Sequence, residues 1–142
     1  MDSPFMGVIV DTSTLVTGER RKHSVREIFA QIREVYGEAG VGLSAITLVE
    51  LAHGIERAKL DIHRDQRRAF LDDLISDIRI FPLTAEIARL AGRISGQQAS
   101  RGIVLPFEDL LIGATALHHG CEVITENARH FEMIPGLVVK KP

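Results

Sequence analysis

Residues 6–13 read MGVIVDTS, a short apolar run that ends in one carboxylate and two hydroxyl side chains. A run of this length that is rich in β-branched residues is typical of a buried strand, and we predict one over residues 6–10. Asp11 follows this strand directly, so its carboxylate should lie at the carboxyl edge of a sheet, where open α/β sheets bind their ligands. The same aspartate also suits the N-cap of a short following helix, because Asp is a preferred cap residue.

Predicted strands and helices alternate along the rest of the chain. Further strand candidates cover 41–43, 79–83, 121–125 and 137–139. Helix candidates cover 24–36, a segment that begins at 45 or 47 and ends at 58, and 106–119, with another helix that Thr84 caps. A charged segment at 59–68 leads into one more helix candidate at 68–78. Because helices separate nearly all of the strands, we predict an α/β fold with a mainly parallel central sheet and helices on both of its faces.

Length and charge limit the classes of function. The 142 residues suit one compact domain over 1–142. Seventeen Lys and Arg against 19 Asp and Glu give a net charge of −2, which argues against a general polyanion binder. Aromatic residues make up 5% of the chain and include no Trp, which argues against an extended base-stacking platform. A bound nucleic acid would therefore need local basic patches or a metal ion.

Cysteine usage and hydropathy indicate where the protein works. Cys121 is the single cysteine of the sequence and cannot form an intrachain disulfide. No apolar run reaches the length of about 18 residues that a membrane-spanning helix needs. The first residues lack the basic stretch of a signal peptide. We expect a cytoplasmic protein without a membrane partner.

Two further carboxylates lie near predicted helix starts. Glu50 stands three residues after Thr47, and this spacing predicts a capping box. The alternative interpretation starts from the apolar stripe of the helix, which Glu50 flanks. On this interpretation, the Glu50 side chain is half-buried and faces the edge of the sheet. Asp109 suits the first turn of a helix because of the helix dipole. It shares a helix face with Gly113 and Ala116, whose small size would draw its carboxylate inward.

Asp11, Glu50 and Asp109 together predict a metal site. Carboxylates from three elements that meet at one sheet edge would raise each other's pKa unless a cation lay among them. Oxygen ligands of this kind suit Mg²⁺ or Mn²⁺. Such a site performs phosphoryl chemistry by orienting water, lowering the pKa of that water and clamping phosphate oxygens.

Four segments in order resemble the motifs of a known family. They are VIVDTS at 8–13, TLVELAHGI at 47–55, DLLIGATAL at 109–117 and VITEN at 123–127. Their order and spacing are similar to those of PIN-domain ribonucleases, in particular the VapC toxins of bacterial toxin–antitoxin pairs. The resemblance extends from Val8 to Val139.

The resemblance implies a three-layer α/β/α sandwich and an endoribonuclease that depends on one or two Mg²⁺ or Mn²⁺ ions. It implies that Asp11, Glu50 and Asp109 form an acidic catalytic triad, with Asp11, Asp109 and also Glu50 as candidate metal ligands. RNA would be cut by in-line attack of a water that the metal activates, leaving 5′-phosphate and 3′-hydroxyl ends. The implied partners are RNA, a small VapB-like antitoxin and a second copy of the chain in a homodimer.

Residues around the triad match the family only in part. Ser13 and Thr125 are candidates to orient carboxylates or water. Asn127 matches a position that holds Asp or Asn in the family, and here it adds no charge. His130 stands where the family often has Asp, and Glu126 stands where a basic residue is common. The sequence thus offers three acids for the metal.

Arg20, Arg21 and Lys22 follow the first predicted loop and are candidates to contact RNA near Asp11. The alternative is a solvated basic face, which is the more usual role of such runs.

Two other classes of function are open to the same pattern. One is a PIN-like module that binds RNA or protein without catalysis. The other is a receiver-like domain that accepts a phosphoryl group on Asp11, which would require a further early acidic pair and a Lys after a late strand. The only lysines are Lys22, Lys59, Lys140 and Lys141, and none is well placed for that role.

Overall fold

The computed structural model describes residues 7–37 and 40–142. Its strands are β1 (Gly7–Val10), β2 (Val41–Ser44), β3 (Arg79–Phe81), β4 (Cys121–Ile124) and β5 (Val139–Lys140). Its helices are α1 (Thr12–Arg20), α2 (Val25–Tyr36), α3 (Ala45–Arg57), α4 (Asp61–Asp77), α5 (Ala85–Ala99), α6 (Phe107–His118) and α7 (Ala128–Phe131). Met6, which the sequence placed in the first strand, lies outside the described residues.

The five strands form one sheet in the order β3-β2-β1-β4-β5, and every neighbouring pair is parallel. The apolar run at residues 7–10 is the central strand, with Val8 opposite Val41 of β2 on one side and Glu122 of β4 on the other. The predicted parallel α/β sheet is confirmed. Because β1 is central, Asp11 leaves the sheet at the middle of its carboxyl edge.

Alternate residues of the sheet pack into two separate apolar layers. Ile9 and Val123 lie in a core with residues of α5, α6 and α7. Val8, Val10 and Ile124 lie in a second core with residues of α1, α2 and α4. This period of two is the side-chain alternation of an extended strand, and it confirms the three-layer sandwich with helices on both faces.

Helix α2 begins as its sequence predicts. The Ser24 hydroxyl accepts a hydrogen bond from the Glu27 backbone amide at 3.1 Å, and the Glu27 carboxylate accepts one from the Ser24 amide at 2.9 Å. The capping box satisfies two amides that the first helical turn would otherwise leave unpaired. Gly37 ends the helix, as expected, with a φ of 85°.

Helix α3 begins earlier than the predicted capping box requires. Ser44 is its N-cap and accepts a hydrogen bond from the Ile46 amide at 3.1 Å. Thr47 is therefore already inside the helix and is fully buried. The capping box between Thr47 and Glu50 was wrong, which removes the structural explanation for Glu50.

The charged segment at 59–68 was predicted to precede a helix. Instead it is helical from Asp61 onward, where α4 begins. Two exposed ion pairs at a spacing of three residues, Arg64 with Asp61 at 3.2 Å and Arg68 with Asp65 at 3.4 Å, support its first turns. The last strand lies at residues 139–140, slightly later than predicted. Within the described part of the chain, no helix is both long and apolar enough to cross a bilayer.

Candidate active site

Asp11 is held at the junction of β1 and α1. Its backbone amide donates to the Ile124 carbonyl of β4 at 2.8 Å, and its side chain caps α1. The residue is only 2% exposed. Its Oδ2 atom accepts hydrogen bonds from the hydroxyls of Ser13 at 2.7 Å and Thr125 at 2.8 Å. Among the residues that the structure describes, no hydrogen bond reaches Oδ1, so this oxygen is available to a ligand.

Glu50 is half-buried and is held by the first residue of α1. The Thr12 hydroxyl lies 2.7 Å from Oε1 of Glu50 and 3.0 Å from the Thr47 hydroxyl. Thr12 has one proton to donate, so it can donate to only one of these two oxygens at a time, and the contact to the carboxylate is the shorter. The chain thus places Glu50 next to Asp11 through a side-chain contact that the sequence did not predict.

Asp109 lies in the first turn of α6 with its side chain 15% exposed. The neighbouring Glu108 is exposed. Nδ1 of His130, on the short helix α7, lies 2.8 Å from Oδ2 of Asp109. The residue that replaces the family's usual aspartate is thus a hydrogen-bond partner of a triad candidate. No local pattern indicates this contact, because it joins residues 21 positions apart.

The three predicted acids line one cleft of about 380 Å³ at the carboxyl edge of the sheet. The cleft residues are Asp11, Thr12, Ser13, Val16, Thr17, Arg20, Glu50, Asp109, Glu126 and Asn127. Four carboxylates against one guanidinium leave an excess of negative charge. Glu126 is a fourth acid, which the sequence had marked only as a departure from the family pattern.

The acids oppose one another's ionisation. Burial raises the pKa of Glu50, and the negative charges of Asp11 and Asp109 raise it further against the bond from Thr12. Burial likewise raises the pKa of Asp109, while the bond to His130 lowers it and the charge of Asp11 raises it. A cation between these carboxylates would relieve both effects.

The donor set fits a hard divalent cation, because it consists of carboxylate oxygens with Oδ1 of Asp11 left open. Among residues 7–37 and 40–142, no three Asp, Glu, His or Cys side chains are gathered tightly enough to form a complete metal shell. The acids share a cleft, and small side-chain rotations would have to bring them onto one ion.

The other candidates are three residues around Asp11 and a basic group, of which one residue reaches the cleft. Ser13 and Thr125 contact Asp11, and the backbone N–H of Asn127 donates to the Thr125 hydroxyl at 2.9 Å. Of the basic group, Arg20 lines the acidic cleft. Arg21 lines a neighbouring groove between α1 and α2, and Lys22 lines neither.

Fold and cleft together define an α/β protein with an acidic ligand site at the carboxyl edge of a parallel sheet. The sequence matches the PIN domain family over residues 8–137. Ribonuclease VapC1 of Rickettsia felis is 34% identical over 134 residues, which cover 94% of this chain and 95% of that protein. The tRNA(fMet)-specific endonuclease VapC of Salmonella typhimurium is 27% identical over 133 residues, 93% of this chain and 95% of that protein.

A solved structure agrees with these sequence relatives. The crystal structure of DNA-bound VapBC from Salmonella typhimurium matches with a TM-score of 0.80 at 26% identity, and covers 96% of this chain and 98% of that one. The chain belongs to the PIN-domain family and, within it, to the VapC ribonucleases. The resemblance indicated by the four sequence motifs is confirmed.

Proposed function

We propose that this chain is a metal-dependent endoribonuclease, that it forms one nuclease domain, and that it acts as the toxin of a toxin–antitoxin pair. The observation that carries the proposal is the meeting of Asp11, Glu50 and Asp109 in one cleft. These acids come from three separate elements, and the chain aligns with VapC ribonucleases over nearly its whole length.

Asp11, Glu50 and Asp109 would hold Mg²⁺ or Mn²⁺, as one ion or two. Two of the three have a raised pKa, so the metal-free cleft carries unfavourable charge that a divalent ion offsets. When bound, the metal neutralises the carboxylates, polarises the phosphate and lowers the pKa of water. The carboxylates without it would repel an RNA backbone.

The surrounding side chains fix the three acids. Ser13 and Thr125 direct Oδ1 of Asp11 into the cleft by occupying Oδ2. Hydrogen bonds to liganding carboxylates set their orientation, which supports metal affinity. Asn127 lines the cleft with a neutral amide and would position water or a phosphate oxygen. Arg20 is the basic residue that lines the cleft, and it would contact the RNA backbone.

The proposed reaction is hydrolysis of a phosphodiester bond. The water oxygen attacks phosphorus in line with the leaving 3′-oxygen, and the bond between phosphorus and that oxygen breaks. The 3′-oxygen leaves with a proton, so the products are a 5′-phosphate and a 3′-hydroxyl. This outcome requires no oxidant and no second substrate besides water.

The proposed protein partners are a small VapB-like antitoxin and a second copy of this chain. The support is the Salmonella relative, whose structure is a VapBC assembly on DNA. In this chain, α2 and α4 expose large apolar side chains, with Val35 at 72% and Ile75 at 51% exposure. Exposed apolar residues on two helices are suited to docking a partner.

Sequencing of RNA ends tests the function directly. Purified wild-type protein is incubated with total RNA in Mg²⁺, in Mn²⁺ and in EDTA, and new 5′-phosphate ends are mapped. We expect defined new ends that need the metal and that disappear in Asp11→Asn and Asp109→Ala. Asp72→Asn, on the exposed face of α4, is the matched control and should cut like the wild type.

Absence of metal-dependent ends in the folded wild-type protein would contradict the nuclease proposal and favour a non-catalytic PIN-like module. Full activity in Asp11→Asn would contradict the assigned site.

A further inference from the structure

A second cavity of about 200 Å³ opens beside the acidic cleft. The two cavities share Thr12, Val16, Arg20 and Glu50 as a common wall. The second cavity is also lined by Glu19 of α1, by Leu51 and Gly54 of α3, and by Arg67 and Phe70 of α4. A group bound there would lie directly next to Glu50, on the side away from Asp109.

The walls of this cavity differ from those of the acidic cleft. Val16, Leu51 and the half-buried Phe70 supply apolar surface. Two carboxylates and two guanidinium groups balance each other, so the cavity has no excess charge to attract a phosphate. An apolar wall with an aromatic ring and a few directional polar groups is the usual environment of a nucleobase in a protein.

Glu19 is a directional acceptor inside this cavity. Within the described part of the chain, no hydrogen-bond donor occupies its carboxylate. Burial raises the pKa of Glu19, and the nearby charge of Arg67 offsets only part of that effect. Arg67 is itself fixed, because its Nη1 donates to the Gly54 carbonyl at 2.6 Å. An amino group entering the cavity would satisfy the carboxylate that the protein leaves without a donor.

We propose that this cavity is a base-recognition subsite for the nucleotide next to the cut phosphodiester. Phe70 provides the stacking wall, and Glu19 accepts a hydrogen bond from an exocyclic amino group of the base. The subsite therefore favours cytosine over uracil, whose edge at the same position is a carbonyl acceptor and meets the Glu19 oxygens unfavourably. This inference rests on the proposed ribonuclease function, because it assigns the cleft beside Glu50 to the cut bond.

Oligoribonucleotides that differ only in cytosine or uracil beside the cut provide the first test. We expect the wild type to cleave the cytosine form with the higher kcat/KM. Glu19→Gln should reduce this preference about ten-fold, because an amide can also donate to the uracil carbonyl. Phe70→Leu should lower kcat/KM about ten-fold on both forms, because stacking does not depend on the base. Glu56→Gln, exposed on α3, is the matched control and should keep the preference.

Nucleoside binding separates this inference from the proposed function. Cytidine and uridine carry no phosphate, so their binding should not depend on the metal or on cleavage. In NMR titrations we expect cytidine to shift the amides of Leu51, Gly54 and Phe70 more than uridine does, with the difference lost in Glu19→Gln. Equal shifts, no shifts, or an unchanged cleavage preference in Glu19→Gln would overturn the subsite. Nucleoside binding in a protein that cuts no RNA would overturn the nuclease and the cleavage role of the subsite, and would leave only a base-binding cavity.

Discussion

Asp109 and His130 form a 2.8 Å hydrogen bond that ties the first turn of α6 to the one-turn helix α7. The His130 side chain is 44% exposed and that of Asp109 is 15% exposed, so the imidazole is the more solvent-exposed partner of the bond. The bond occupies Oδ2 of Asp109 and thereby directs the other oxygen. His130 therefore orients the Asp109 carboxylate in the same way as Ser13 and Thr125, which bind Oδ2 of Asp11, orient that carboxylate.

Loss of this bond should weaken the site without unfolding the protein. We expect His130→Ala to lower Mn²⁺ affinity or activity by about 10–100-fold, because outer partners of metal ligands typically contribute that much. His130→Asn should retain more of both, since its amide can still donate to Asp109. Isothermal titration with Mn²⁺ and the cleavage assay measure the two quantities. His63→Ala, exposed on α4, is the control. An alanine variant equal to the wild type would refute the role.

Loss of the Thr125 hydroxyl should lower metal affinity more than loss of the hydroxyl of an equally buried threonine outside the site. Thr125→Val removes the hydroxyl that donates to Asp11, so we expect Mn²⁺ affinity to fall about 10–100-fold. Thr115→Val is the matched control, because Thr115 is also fully buried and donates to a carbonyl inside α6 at 2.7 Å. The control should lose stability at most. Equal Mn²⁺ affinities in the two variants would argue against a site-specific role for Thr125.

The metal-free protein should lose stability as the pH rises. The pKa values of Glu50 and Asp109 are raised in the folded state, so the folded protein holds protons that the unfolded chain releases above about pH 4. The free energy of unfolding therefore falls with increasing pH through the raised folded values. Urea unfolding in EDTA between pH 4 and 7.5 measures this effect.

Two comparisons isolate the contribution of the site. Asp109→Asn should be more stable than the wild type at pH 7 in EDTA, and the difference should vanish at pH 4. Mn²⁺ at a hundred times its dissociation constant should stabilise the wild type by about 2.7 kcal/mol. A variant that is less stable than the wild type at pH 7 would contradict the raised pKa of Asp109.

Gly42 in β2 should tolerate no side chain. An added Cβ would stand 2.5 Å from Cε2 of Phe81 and 3.1 Å from the Arg79 carbonyl oxygen of the neighbouring strand. We expect Gly42→Ala to cost about 1–3 kcal/mol, as overpacking of a core does. Gly96→Ala should instead stabilise by about 0.5–1 kcal/mol, because Gly96 lies in α5 with no atom within 4 Å of an added Cβ. Chemical unfolding compares the two, and similar effects would contradict the packing argument.

Expression of this chain alone in bacteria should arrest growth if its nuclease is a toxin. Asp109→Ala should relieve the arrest at equal protein level, because it removes a carboxylate of the cleft. Growth curves with quantified expression measure this effect. Normal growth with abundant folded wild-type protein would count against the toxin role and would leave RNA cleavage to be judged from its own assay.

The sequence predicts best where the signal is local. The β-branched run at residues 7–10 is buried in every position, and Ser24 with Glu27 caps α2 as its spacing requires. It fails where two neighbouring signals compete. Ser44 and Thr47 are both competent caps, and the end of β2 at Ser44 decides between them. The charge-rich start of α4 carries little apolar periodicity, so its helix was not predicted there.

The candidate site shows the same division. The placement of Asp11 followed from its position after a strand, and Glu50 and Asp109 followed from their helix faces, with the family motifs in agreement. The partners of the last two, Thr12 and His130, are 38 and 21 residues away along the chain. Contacts at such separations depend on the arrangement of the whole fold, and a single sequence carries no local pattern for them.

Two consecutive residues at the start of α1 position two carboxylates of the cleft. Asp11 is itself one of them, and Thr12 hydrogen-bonds the other, which is Glu50. A one-residue insertion between β1 and α1 would rotate the helix by about 100° and separate both from their partners. Insertions and deletions at this junction should therefore be rare among active relatives, whereas the exposed turn after α5 can accept insertions. The single-residue connection between β1 and α1 is thus expected to keep its length.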